Sequence, residues 1–270
     1  MQTIQVQQNK VENLQDYVRR PAKREDFETL ITEDCILKDE TGKLILLYFK
    51  FRDDTAELLK AVQTIPYETS RRSGGLVTTS RIFGYDPSTG IRKPYCSATR
   101  LAFNNPKEHQ TIVDFGVKIA EIYKEYLPDA FVSHEQIALD KIKEEWKIPH
   151  TPFTSGIINK NNQLNYHFDS GNFKGVYSNM IVLKNNVAGG YLALPEYGVG
   201  LECAGNTLVM FDGQSILHGV TPIQHFGKNS HRYSLVYYTL EQFWKCDELT
   251  EEVAKVRERR KTIENRNANL

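Results

Sequence analysis

The sequence predicts a mixed α/β fold in which helices back a β-barrel. Helical periodicity is confined to residues 1–150 and 247–270, whereas short β-rich runs separated by turn residues fill 151–246. No internal repeat or low-complexity tract divides the chain, so 1–270 reads as a single domain: a helical and mixed flank, a β core and a C-terminal helix.

In chain order, residues 34–38 and 43–49 flank Thr41-Gly42 and read as a hairpin. Residues 53–62 follow as a helix with Ala56, Leu59 and Val62 on one face. The stretch 71–95 is rich in Gly, Ser, Thr and Pro and reads as a long ordered loop. From Pro106 to Tyr126 the apolar positions Ile112, Phe115, Ile119, Ile122, Tyr123 and Tyr126 keep the steps of an amphipathic helix, with Pro128 beyond it. A further helix spans 135–146 and ends before Pro149. Strands are then expected at 153–158, 175–183, 190–194, 206–211, 215–220 and 232–240. Asn161-Asn162, Asn185-Asn186, Gly189-Gly190 and Asp212-Gly213 separate them, the pattern of a sandwich or small barrel. A charged helix over 249–265 closes the chain.

Composition narrows the function classes. Lys plus Arg and Asp plus Glu are equal at 34 each, so net charge announces no polyanionic partner. Locally the balance is uneven: 71–100 holds six basic residues against Asp86, and 255–266 holds six against Glu258 and Glu264. Such segments can hold a phosphate backbone, and Arg72 and Arg81 are the candidates; a solvated surface is the plainer alternative. The longest apolar run, Leu44 to Phe49, has six residues, too few to cross a bilayer, and no signal peptide is visible. An intracellular, non-secreted protein without a membrane partner is expected. The cysteines Cys35, Cys96, Cys203 and Cys246 form no C-x-x-C pair and are expected to be reduced, mostly buried thiols.

Three motifs carry chemistry. On a strand, His167 and Asp169 point to the same face and can reach one ion. His218 lies 49 residues after Asp169 between short strands and supplies a third ligand. Two imidazoles and one carboxylate on one face of an iron leave positions open for a chelating cosubstrate and dioxygen. Arg232 and Ser234 again share a face, and a guanidinium beside a hydroxyl suits the distal carboxylate of 2-oxoglutarate. Singly, each residue has a bland alternative: a core histidine, or a buried structural arginine.

The stretches Tyr166-His-Phe-Asp-Ser-Gly-Asn172, Gly189-Gly-Tyr-Leu-Ala-Leu-Pro-Glu-Tyr197, His218-Gly-Val-Thr-Pro222 and Arg232-Tyr-Ser-Leu-Val-Tyr-Tyr238 resemble the TET/JBP family. Its members are Fe(II)/2-oxoglutarate dioxygenases that oxidise the 5-methyl group of pyrimidines in nucleic acids. The resemblance is strongest over 150–246, thin before residue 70, and most like the compact microbial and phage-type members. It implies a double-stranded β-helix (jelly-roll) core with flanking helices, and a microbe- or phage-encoded cytoplasmic protein. It also implies Fe(II) on His167, Asp169 and His218, 2-oxoglutarate on Arg232 and Ser234, and O2 as co-reactant. By the same motifs, Asn172 and Tyr238 would meet the target base. Leu240 stands where the family usually carries a base-contacting histidine, which leaves base choice open between 5-methylcytosine and thymine. Strand alternation turns Thr239 to the opposite face. Phe173, Tyr177, Tyr197 and Tyr238 are candidates for stacking on a base or for barrel core. The implied activity is oxidation of 5-methylcytosine in DNA to 5-hydroxymethylcytosine, on a nucleotide flipped from the stack. A protein or small-molecule hydroxylase of the same superfamily, and a non-enzymatic binding module, are the competing readings.

Overall fold

The computed structural model describes residues 1–8, 13–71 and 76–268, with side chains to residue 265. The first half contributes β1 (Gln2–Val6), β2 (Thr29–Ile31), β3 (Cys35–Asp39), β4 (Leu44–Lys50), α1 (Ala56–Thr64), β5 (Glu68–Arg71), β6 (Val77–Asp86) and β7 (Ser97–Ala98). The helices α2 (Arg100–Asn104), α3 (Pro106–Tyr126) and α4 (Pro128–Lys141) follow. The second half adds β8 (Ser155–Lys160), β9 (Leu164–His167), β10 (Ser178–Asn185), β11 (Val187–Gly189), β12 (Leu192–Leu194) and β13 (Val199–Leu201). It closes with β14 (Thr207–Phe211), β15 (His218–Val220), β16 (Ile223–His225), β17 (His231–Tyr238) and α5 (Leu249–Ala268).

The large sheet runs β1-β3-β4-β14-β10-β17-β8-β6-β5, with β7 against β6, and the small one runs β2-β13-β12-β15-β9. Alternation along the central strands decides what each face buries. Ile181 and Leu183 of β10, Leu208 and Met210 of β14, and Tyr233, Leu235 and Tyr237 of β17 join the helical core with Ile112, Phe115, Ile119 and Tyr123 of α3. Met180, Val182 and Val209 point the other way, onto Leu192, Leu194 and Leu201 of the small sheet. Covered on both faces, these strands read as near-continuous apolar runs. The Tyr237 hydroxyl also donates to the Ile112 carbonyl of α3 at 2.7 Å.

The expected hairpin, long helix, β-rich half and closing helix are all present. Three expectations are corrected. Residues 71–95 are not one long loop: β6 pairs with β8 over Ser80–Gly84 and Ser155–Asn159, driven by the Thr- and Ile-bearing run at 77–83 and by fully buried Phe83, packed 4.9 Å from the Tyr237 ring. The second helix begins at Pro128, where a proline suits a first turn, and gives way to a short 3-10 turn at Glu144–Trp146. The four cysteines are not all thiols. Cys96 and Cys246, 150 residues apart, form a disulfide, while Cys35 and Cys203 are free and buried. No local spacing announces a bond of that span. Strands from before residue 150 join the same sheet as those after it, since β4 pairs with β14 and β6 with β8. Among the described residues, no helix is long and apolar enough to cross a membrane.

Thr239 turns away from the small sheet, as alternation requires. Its hydroxyl donates to the Pro152 carbonyl at 2.6 Å and therefore accepts from Nε2 of fully buried His134 at 2.7 Å. Burial pushes the His134 pKa down to about 3. The unfolded chain takes up this proton below its ordinary value of about 6.5, and the folded chain resists it, so stability is full above that value and lost as pH falls towards 3. His134→Leu is expected to remove about 2 kcal/mol of the loss seen between pH 8 and pH 5 in chelator-treated protein. Urea midpoints at the two pH values check this; an unchanged difference in the variant assigns the acid sensitivity elsewhere.

Candidate active site

Between the two sheets lies a pocket of about 540 Å³, a size that takes a small ligand. The large sheet lines it with Ile157 and Asn159, Ser178 and Met180, Phe211, and Ser234, Val236 and Tyr238. The small sheet supplies Leu164 to His167, Leu192, His218 and Val220.

Strand pairing assembles the metal cluster. β15 lies antiparallel to β9 with His218 directly opposite His167, which holds the two imidazole centres 4.3 Å apart. Asp169 lies two residues beyond His167, its N–H donating to the Gly213 carbonyl at 2.8 Å. Its Oδ1 is 3.6 Å from His167 Nε2 and 3.8 Å from His218 Nε2. One ligand atom from each of the three falls within 4.8 Å of the others. The far nitrogens are engaged: His167 Nδ1 with the Asn165 carbonyl at 2.8 Å, and His218 Nδ1 with the Ile216 carbonyl at 2.9 Å. A carbonyl only accepts, so each Nδ1 carries the proton and each Nε2 offers its lone pair to an ion. Burial pushes the His218 pKa down to about 4, with Asp169 opposing and His167 assisting, so this imidazole is neutral at pH 7. The donor set and its open side fit a facial Fe(II) site.

Gly213, by sequence only a turn residue, also shapes the cluster. A Cβ at that position would sit 2.2 Å from Asp169 Oδ2, so only glycine lets the carboxylate occupy its place. A glycine shortly before the second histidine is the signal that could have marked it.

Deeper along the same face of β17, Arg232 is 1% exposed, and its Nε and Nη2 have no hydrogen-bond partner. Burial lowers its pKa from the ordinary arginine value, partly offset by Cys203 beside it. Gly190 makes room: at φ 67°, a Cβ there would stand 2.9 Å from Arg232 Nε. The Gly190 N–H donates to the Pro222 carbonyl at 3.0 Å, and the Tyr191 N–H donates to the Thr221 hydroxyl at 3.0 Å. These bonds tie the Gly-Gly stretch to the Thr-Pro stretch, which accounts for the two sequence motifs together. A buried guanidinium with two free donors needs an anion, and Ser234, next but one on the strand, brings a hydroxyl into the pocket wall. The 2-oxoglutarate carboxylate fits this end.

The remaining candidates separate. Asn172, Tyr238 and Leu240 all line the pocket, and Asn172 is bridged to Leu240 through the backbone. The Asn172 amide Nδ2 donates to Ser178 Oγ at 3.1 Å. Tyr197 is buried in the inter-sheet core, Tyr177 packs on the helical core, and Phe173 packs against the cluster around Trp146. Only Tyr238 of the four aromatic candidates is in the pocket wall. Arg72 lies outside the described residues. Arg81 is corrected from a loop residue to a sheet residue: it is 6% exposed, and its guanidinium is paired with Glu68 at 2.6 Å rather than offered to a phosphate. Ser178, Asn159 and Arg19 line the pocket without having been singled out by any motif.

Comparison with known proteins agrees with this geometry. The chain is 28% identical over 176 residues to Thymine dioxygenase JBP1 of Trypanosoma brucei brucei, covering 63% of this chain and 20% of that protein. It is 27% identical over 230 residues to the Bifunctional helicase and thymine dioxygenase JBP2 of the same organism, covering 79% of this chain and again 20% of the relative. The chain thus spans about a fifth of the length of these curated relatives. The solved structure described as NgTET1 in complex with 5mC DNA superposes with a TM-score of 0.61 at 14% identity, over 95% of this chain and 90% of that one. The shared fold is the double-stranded β-helix with flanking helices. Residues 81–241, more than half the chain, match Tet_JBP, the oxygenase domain of the 2OGFeDO superfamily. With the His-Asp-His cluster and the buried arginine set in one sandwich, the chain belongs to this TET/JBP family of oxygenase domains.

Proposed function

We propose that the protein oxidises the 5-methyl group of 5-methylcytosine in DNA, giving 5-hydroxymethylcytosine, with Fe(II) and 2-oxoglutarate. The observation that carries the reading is the pocket itself: two imidazoles and a carboxylate converge in it, and behind its wall is buried an arginine whose Nε and Nη2 have no hydrogen-bond partner. The 5-methylcytosine DNA named for NgTET1 and the thymine named for the trypanosomal relatives support a methylated pyrimidine in DNA as the substrate class.

His167, Asp169 and His218 would hold the iron through Nε2, a carboxylate oxygen and Nε2. Bound there with 2-oxoglutarate, Fe(II) would supply the oxidative chemistry, in which one atom of O2 goes to a C–H bond and the other to succinate as CO2 is lost. The chain's own part is placement. Arg232 anchors the distal carboxylate by charge, and Ser234 adds a hydroxyl donor. Apolar Met180, Leu192, Phe211 and Val220 exclude water around the reacting end. A methyl group in a stacked duplex cannot reach ligands set between two sheets, so the target nucleotide enters flipped.

Asn172 bears on base choice without fixing it. One N–H of its Nδ2 donates to Ser178, which leaves the second N–H and Oδ1 for a ligand, and this pair can meet either the N4 amine and N3 of cytosine or the O4 and N3–H of thymine. The preference for 5-methylcytosine is supported by the DNA named for NgTET1. Leu240 packs and reads neither base. The second reading, thymine oxidation to 5-hydroxymethyluracil, is favoured by the names of the curated relatives.

Two outcomes test the reading. Arg232→Ala is expected to raise the 2-oxoglutarate KM by a factor of at least about 30, since losing a buried charge-assisted contact costs on the order of 2–5 kcal/mol, with Fe(II) binding kept. An unchanged KM means that another residue holds the carboxylate. Nucleoside mass spectrometry on matched duplexes, one carrying 5-methylcytosine and one only cytosine and thymine, is expected to find 5-hydroxymethylcytosine from the first. Hydroxymethyluracil from the second, with methylcytosine untouched in the first, establishes the thymine reading instead.

A further inference from the structure

One cation stands at the mouth of the pocket. Among the described lining residues Arg19 is the only arginine or lysine, beside Gln15 and Val18 of the same segment. Its backbone is in the left-handed region at φ 72°, which a non-glycine residue keeps only when its surroundings impose it. They do. The Arg19 N–H donates to the Tyr166 carbonyl at 2.8 Å, and its own carbonyl accepts from Asn165 Nδ2 at 2.9 Å. The Tyr166 N–H donates back to the Arg20 carbonyl at 2.9 Å. Asn165 is also the residue whose carbonyl fixes the His167 ring. Arg19 is thus registered on the very strand end that carries the first metal ligand.

The side chain itself is exposed, and its guanidinium has no hydrogen bond or ion pair among the described residues. Arg20 stacks on Tyr17 at 4.9 Å and Arg24 on Phe27 at 4.5 Å; with exposed Lys23 they make a cationic rim without an acid between residues 19 and 24. Of the acids that follow, Asp26 is occupied by the Tyr166 hydroxyl at 2.9 Å and the Lys23 N–H at 2.7 Å. Within the basic stretch at 71–100, three residues already face acids: Arg81 and Glu68, Lys93 and Asp86, and Arg100 within 3.9 Å of Glu68.

We propose that Arg19 grips the backbone phosphate of the nucleotide whose base enters the pocket; this rests on the DNA reading given under Proposed function. A flipped nucleotide leaves its phosphodiester at the mouth, and a planar guanidinium forks onto two of its oxygens. Because the Arg19 backbone is bonded to the strand of His167, the grip also sets the distance from phosphate to metal site. Arg19 is a binding and positioning residue, indifferent to base identity.

The test compares wild type, Arg19→Asn and Arg19→Lys on a methylated duplex over a range of salt. Asparagine tolerates the left-handed backbone, so the variant removes the cation without forcing the chain to move. For Arg19→Asn the DNA KM is expected to rise about tenfold and its log–log salt slope to fall by about one. The 2-oxoglutarate KM stays within about twofold of wild type, and Arg19→Lys recovers most of the loss. An active wild type with an unchanged DNA KM, or a changed KM with an unchanged salt slope, overturns the assignment. A wild type that oxidises no DNA at all overturns the substrate reading itself, which is a distinct result.

Discussion

The pairing of β15 with β9 is the contact on which the site depends. It sets His218 opposite His167 and leaves Asp169, two residues on, within reach of both Nε2 atoms. Side chains alternate along a strand, so a slip of one residue in either strand would turn an imidazole out of the sandwich and dissolve the cluster. Much else serves that register: the absent side chain at Gly213, the Asp169 bond to its carbonyl, and the backbone carbonyls of Asn165 and Ile216 that hold the two rings.

The large sheet supplies the opposite wall and the opposite charge. Its central strands are buried against helices on one side and the small sheet on the other, so they form a rigid plate. Arg232 is held in that plate with two donors unspent, next to half-buried Lys184, whose own ammonium is turned onto the Gly189 carbonyl at 2.8 Å. Burying an unpaired cation is costly in any fold. The cost is understandable where an anionic cosubstrate completes the pairing, and the Gly-Gly and Thr-Pro motifs exist to make the space.

The convergence of His167, Asp169 and His218, and the shared face of Arg232 and Ser234, were legible in the sequence because alternation on a strand converts an x-spacing of two into a shared face. Thr239 and Leu240 were legible for the same reason, and they do fall on opposite sides. The β-rich half was legible because each run is bounded by turn residues. What sequence could not give were long-range pairings. The 71–95 stretch looked like a loop because its turn-rich ends outweigh the strand between them, and its partner β8 lies some seventy residues on. Arg81 read as available charge because its partner Glu68 is recognised only once β5 and β6 pair. The Cys96–Cys246 bond joins residues that only the fold brings to a Cα separation of 5.9 Å. Arg19 carries no motif; it becomes notable only when the N-terminal segment is laid across β9.

The central claim is that one face of two strands builds an Fe(II) site whose occupancy depends on Asp169 as much as on either histidine. Anaerobic titration of Fe(II) into the metal-free protein in the presence of 2-oxoglutarate measures it directly. The account predicts one iron per chain for wild type and loss of that binding in Asp169→Ala, with the far-ultraviolet spectrum of the variant unchanged. Equal iron affinity in a folded Asp169→Ala variant would contradict it.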